Sequence, residues 1–103
     1  MTKEKLQKNY LKFKAKFSKV WNAYDNLGET LKKEGPLDKK TQELVKLAHA
    51  IATGSEGATH SHTRRALKEG VTREEILHAA VLGITTIGFP RAMAGFSWIN
   101  DVL

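Results

Sequence analysis

The stretch Glu43-Leu44-Val45-Lys46-Leu47-Ala48-His49-Ala50-Ile51-Ala52-Thr53-Gly54-Ser55-Glu56-Gly57-Ala58-Thr59-His60-Ser61-His62 reads as two helices joined by a glycine break. In the first, Leu44, Val45, Leu47, Ala48, Ile51 and Ala52 leave most of the circumference apolar, as in a helix that sits centrally. It starts near Leu37-Asp38, with Asp38 as N-cap, and stops at Gly54. The second runs from Ser55 or Glu56 to Glu69, with Gly70 as its C-terminal cap. Its apolar residues are few (Ala58, Ala66, Leu67) and its polar ones many (His60, His62, Arg64, Arg65, Lys68). Such a helix is expected to be exposed or to line a polar cavity. A short connection between the two can bring the Glu43 carboxylate and the His62 imidazole together.

Outward from this pair the chain stays helical. Thr72-Arg73-Glu74-Glu75 is a capping box that opens a helix through Ile76, Leu77, Ala79, Ala80, Val81, Leu82, Ile84 and Ile87. Gly88-Phe89-Pro90 breaks that helix and starts the last one, through Met93, Phe96, Trp98, Ile99 and Leu103. On the N-terminal side, Leu6, Tyr10, Phe13, Phe17, Val20, Tyr24, Leu27 and Leu31 recur at alternating intervals of four and three. That is an unbroken helical stripe, fit with Trp21 to face a core or a partner helix. Asp25-Asn26 and Gly28 weaken its middle, where a bend or break is expected, and Gly35-Pro36 ends it. No strand pattern and no repeat occurs. The expected fold is all-α: a single helical domain over 1–103, with a basic amphipathic helix or helix pair over 1–34 and the main bundle over 37–103.

Size and charge narrow the function. At 103 residues and 11.5 kDa the chain has room for one modest core. Two helices apolar on most faces exceed what it can cover alone, so a homo-oligomer is expected. The chain has no cysteine, so disulfide, thiolate-metal and thiol chemistry are excluded. No apolar run of 18 residues and no signal-like core occurs, and a cytoplasmic protein without membrane attachment is expected. Residues 1–20 hold seven lysines and one acid, Glu4, so the whole net charge of +6 lies there; the remainder has ten basic and ten acidic residues. A solvated helix face accounts for this better than a nucleic-acid surface, which wants a clustered patch with base-reading groups.

From Glu43 to Pro90 the sequence resembles the carboxymuconolactone decarboxylase family, which includes the alkylhydroperoxidase D-type proteins. Redox members of that family carry Glu, eleven residues, then Cys-x-x-Cys-x-x-x-His. Glu43 and His62 fall at the glutamate and histidine of this frame, and Ser55 and Ala58 fall where the cysteines would be. The flanks agree: Leu37-Asp38-x-Lys40-Thr41-x-Glu43-Leu44 before, Arg65-Ala66-Leu67-x-x-Gly70-Val71-Thr72-Arg73-Glu74-Glu75-Ile76 after, and the Gly88-Phe89-Pro90 turn. The resemblance implies an alkylhydroperoxidase D-like helical fold, assembled as a trimer or hexamer. It does not carry peroxidase activity to this chain, because serine and alanine cannot replace the thiolate pair. The decarboxylase branch also lacks that pair, and its substrate class is a carboxylated lactone.

Loss of carbon dioxide from such a compound leaves a carbanion or enolate to be stabilised and protonated. His62 is the general acid by residue type, and Glu43 orients it or sets its protonation. Arg64, Arg65 and Arg91 are candidate carboxylate clamps, with His60 as a further substrate contact; Arg65, three residues from His62, shares its helix face. Ser55 is read either as a member of the site or as the N-cap of its helix. A Glu–His contact can equally be structural, and a helical oligomer that binds a small ligand or partner without turnover is the alternative function. His49 and His78 are expected to be packing residues. No cofactor is implied and no metal is expected: Glu75-Ile76-Leu77-His78 is a single Glu-x-x-His unit where a di-iron bundle needs two. His60 and His62 point about 200° apart on a helix.

Overall fold

A computed structural model describes residues 3–103, with the backbone alone at Lys3, Glu4 and Leu6, so Leu6, the first position of the N-terminal stripe, lies outside the described side chains. Among the described residues six α-helices form, with a 3-10 turn before the last: α1 (Lys3–Lys16), α2 (Ser18–Lys33), α3 (Lys39–Ala52), α4 (Glu56–Lys68), α5 (Arg73–Val81), the turn Leu82–Thr85, and α6 (Phe89–Val102). No strand occurs among the described residues, and the fold is all-α. The chain divides into two compact units, with the boundary between Pro36 and Leu37.

The N-terminal unit is a helix pair. The break falls at Phe17 (φ −116°, ψ 52°) rather than at Asp25-Asn26 or Gly28, through which α2 runs intact. The backbone bonds Phe17 N to Phe13 O (2.8 Å) and Trp21 N to Phe17 O (2.9 Å) survive, so this is a kink and not a loop. Aromatic packing favours it there: Tyr10 meets the Trp21 ring edge-on at 5.1 Å, Phe13 lies 5.6 Å from Phe17, and Trp21 lies 6.2 Å from Tyr24. Lys14 Nζ sits 5.2 Å from the centre of the Trp21 ring. The rest of the stripe stays open; Val20, Tyr24, Leu27 and Leu31 are all more than half exposed.

In the second unit each helix begins where local chemistry dictates. Asp38 Oδ1 accepts the Thr41 N–H at 2.8 Å and caps α3. That backbone bond, with the Thr41 hydroxyl behind it, holds the Asp38 carboxyl below its ordinary value. Ser55 Oγ accepts from Ala58 N at 3.2 Å and caps α4. The Thr72–Glu75 capping box is complete, and the Thr72 N–H, then its hydroxyl, lowers the Glu75 carboxyl likewise. Gly54 (φ +75°) and Gly70 (φ +89°) turn the chain after α3 and α4 through left-handed backbone that only glycine adopts without strain.

The core joins Leu47 and Ile51 of α3, Ala66 of α4, Ile76 and Ala80 of α5 and Ile99 of α6, with Val71 from the α4–α5 connection. The backbone of α6 approaches closely at Gly95, where an added Cβ would lie 2.5 Å from Ile51 Cγ2. Two expectations are corrected. Helix α4 is not an exposed helix throughout: it buries Thr59, Thr63 and Ala66 completely. The threonine hydroxyls donate to Ser55 O and Thr59 O, both at 2.7 Å, so polar residues make a buried face by satisfying themselves within their own helix. The helix opened by Thr72 ends at Val81 rather than continuing to Ile87. There the Gly83 carbonyl gathers the N–H groups of Thr86 (3.0 Å) and Ile87 (2.8 Å), which tightens the chain before Gly88 (φ +93°) lets α6 start at Phe89-Pro90.

Candidate functional site

The α3–α4 hairpin sets the register of the central pair. With the turn fixed at Gly54 and Ser55, residues at similar distances from it along the two helices come opposite one another. Glu43, eleven residues before Gly54, and His62, seven after Ser55, are offset along the helices, and their side chains bridge the offset: His62 Nδ1 lies 3.0 Å from Glu43 Oε2. The Glu43 side chain is 9% exposed and that of His62 is 18% exposed. An ionised carboxylate only accepts, so Nδ1 carries the hydrogen. In the neutral ring the lone pair is then on Nε2, the nitrogen with no hydrogen-bond partner among the described residues. The pair is thus an oriented imidazole whose free Nε2 is the position at which a proton can be taken or given.

The other candidate residues lie elsewhere. Ser55 is engaged as the α4 cap, with its Oγ turned to Ala58 N. Arg64 and Arg65 are exposed and open, with Ser61, Lys68 and Val102, onto a shallow groove whose lining does not include His62. Arg91 is exposed in the first turn of α6 and its guanidinium lies against Gly54, where an added Cβ would strike Nη1. His60 Nε2 meets Asp101 Oδ2 of α6 at 2.9 Å. The structure therefore brings Glu43 and His62 together, and among the described residues neither the arginines nor His60 makes a hydrogen bond or ion pair with them.

His49 and His78 are exposed and do not pack in the core. Both line an open groove of about 570 Å³ between α3, α5 and the 3-10 turn, otherwise walled mainly by apolar side chains such as Leu44, Val45, Leu82 and Ile87. The groove was not legible in the sequence, because it depends on where α5 stops.

The carboxymuconolactone decarboxylase family model matches residues 19–101. Over 82 residues the chain is 30% identical to "Uncharacterized protein 4 in cox locus" of Paracoccus denitrificans, covering 80% of this chain and 70% of that protein. Among solved structures it is similar to apo-lpg0406, a carboxymuconolactone decarboxylase family protein from Legionella pneumophila. The TM-score is 0.83 at 25% identity, over 96% of this chain and 91% of that one. The family match runs from the start of α2 into the last turn of α6 and contains both halves of the Glu43–His62 pair; the chain belongs to the carboxymuconolactone decarboxylase family.

Proposed function

We propose that this protein is a decarboxylase-like enzyme acting on a small carboxylated lactone or acid, with His62 as general acid and Glu43 as its orienting anion. The observation that carries this is the 3.0 Å Nδ1–Oε2 contact on two largely buried side chains, which fixes the tautomer and directs proton transfer to Nε2. In the reaction, the bond from carbon to the carboxylate breaks and carbon dioxide leaves. The electron pair delocalises into the adjoining unsaturated lactone, and the resulting carbanion takes the proton from His62 Nε2. Water then restores that proton. Glu43 holds the ring in the orientation that presents Nε2 to the carbanion. Thiol peroxidase chemistry has no place, since the chain has no cysteine. The substrate carboxylate needs a cation, and Arg65 or Arg64 on α4, or Arg91 on α6, supplies it from this chain or from a neighbouring copy.

Assembly belongs to the same reading. Val45, Val81, Leu82, Ile84, Phe89 and Met93 of the second unit are exposed, and a trimer or hexamer would cover such surface. The test is the loss of carboxymuconolactone absorbance with purified protein beside His62→Ala. Turnover abolished by the substitution supports the assignment. Equal turnover in both proteins rejects His62, and no turnover from a folded oligomer rejects this substrate.

A second reading is favoured by one observation. The 570 Å³ groove is lined by mostly apolar side chains and by neither Glu43 nor His62. A protein that binds a small apolar ligand there without turnover would use that groove, and ligand binding unaffected by His62→Ala would select it.

A further inference from the structure

We propose that Glu56, His60 and Asp101 form a binding site for a divalent first-row transition-metal ion, separate from the Glu43–His62 pair. Glu56 and His60 are four residues apart on α4, one turn apart on the same face. Asp101 comes from the last turn of α6, which packs against α4. One ligand atom from each of the three lies within 4.8 Å of the other two, and His60 Nε2 is already 2.9 Å from Asp101 Oδ2. Ligands held about 2.0–2.2 Å from a tetrahedral zinc-like ion stand roughly 3.3–3.6 Å from their neighbours. Small rotations of two exposed carboxylates reach that spacing.

Charge points the same way. With the imidazole neutral, the cluster carries two negative charges and no positive one of its own. Asp101 sits in the last turn of α6, the end of a helix where an anion is disfavoured, and His60 is the side chain that meets its carboxylate. Arg64, one turn beyond His60, opens onto the separate groove shared with Arg65 and Lys68. The donor set of one imidazole and two carboxylates suits zinc, cobalt or manganese better than magnesium or calcium, which prefer oxygen alone. The ion takes the place of the hydrogen that Nε2 shares with Asp101, and three protein ligands leave coordination positions for water. His60 and His62 lie about 200° apart around α4, so the ion and the Glu43–His62 pair occupy different faces.

The experiment titrates tag-free protein with zinc sulfate by calorimetry and with cobalt chloride by visible absorption. The expected result is one ion per chain, with affinity falling at least tenfold in each of Glu56→Gln, His60→Gln and Asp101→Asn. His62→Gln should bind as the unaltered protein does. Glu56 and Asp101 are exposed, so their amide variants keep the fold, which circular dichroism verifies. Absence of uptake by the unaltered protein at millimolar ion overturns the proposal. So does uptake that survives in all three variants, or that is lost in His62→Gln instead.

Discussion

His62 Nδ1 donates to Glu43 Oε2 across the α3–α4 hairpin, at 3.0 Å and with the carboxylate 9% exposed. Because the acceptor is nearly out of water, its charge acts on the ring with little screening. Glu43→Gln keeps an oxygen that can accept from Nδ1 but removes the negative charge beside the ring. Turnover of a carboxylated lactone should fall about 10²-fold, within the range general acid–base groups contribute. The melting temperature should change by only a few degrees. Steady-state kinetics beside a thermal melt checks both, and unchanged turnover would reduce the contact to a structural one.

Backbone approach gives a stability prediction independent of function. At Gly95 an added Cβ would lie 2.5 to 2.9 Å from three atoms of the buried Ile51 side chain. Gly95→Ala should therefore cost about 1–3 kcal/mol despite the higher helix propensity of alanine, the usual cost of overpacking a filled core. Denaturant unfolding measures it. A stabilised variant would mean that α6 can move off Ile51 freely.

Gly54 is constrained twice, by a left-handed φ of +75° and by the Arg91 guanidinium lying where a Cβ would project. Gly54→Ala should lower stability by about 1–2 kcal/mol from backbone conformation alone. Pairing it with Arg91→Ala should recover only the steric part. A double variant as stable as the unaltered protein would show that the backbone conformation costs nothing here.

These glycines illustrate what was legible in advance. The caps at Asp38, Ser55 and Thr72 and the stops at Gly54 and Gly70 depend on residues within four positions, so local sequence revealed them. Glu43 and His62 were legible through their spacing and its family resemblance. Burial of Thr59 and Thr63 was not, since hydroxyls that bond within their own helix resemble surface residues until the packing is known. The kink at Phe17 came from aromatic pairing rather than from the weak helix formers downstream. The Asp101 partner of His60 is 41 residues away, and no local pattern announces it. The arginines were placed by helix-face arithmetic, which says which residues share a face but not what that face meets.

Acid should expose the two carboxylate caps. Asp38 and Glu75 both have folded values below their ordinary 3.8 and 4.5. A depressed folded value means the unfolded chain binds the proton more readily. The contribution is therefore fully present above the unfolded values and is lost as pH falls through the folded ones. Stability should decline below about pH 4.5, and Asp38→Asn with Glu75→Gln should flatten that decline while leaving its position on the alkaline side unchanged. Urea midpoints measured from pH 7 to pH 2.5 test this. An identical acid decline in the double variant would assign it to other carboxylates.

Assembly state is the last prediction and bears on where the substrate is held. The second unit leaves Leu82 61% and Phe89 58% exposed, large apolar side chains near the 3-10 turn and the start of α6. A homo-oligomer should bury them, so light scattering at micromolar concentration should give a multiple of 11.5 kDa. Leu82→Glu combined with Phe89→Glu should shift the mass downward with helicity retained. If turnover falls along with the mass while Glu43 and His62 are untouched, a neighbouring copy completes the site and supplies the cation that faces the substrate carboxylate. If the smaller species turns over as before, the arginine must come from the same chain. A monomer in the unaltered protein would remove the shared-site reading and leave the apolar surface to another partner.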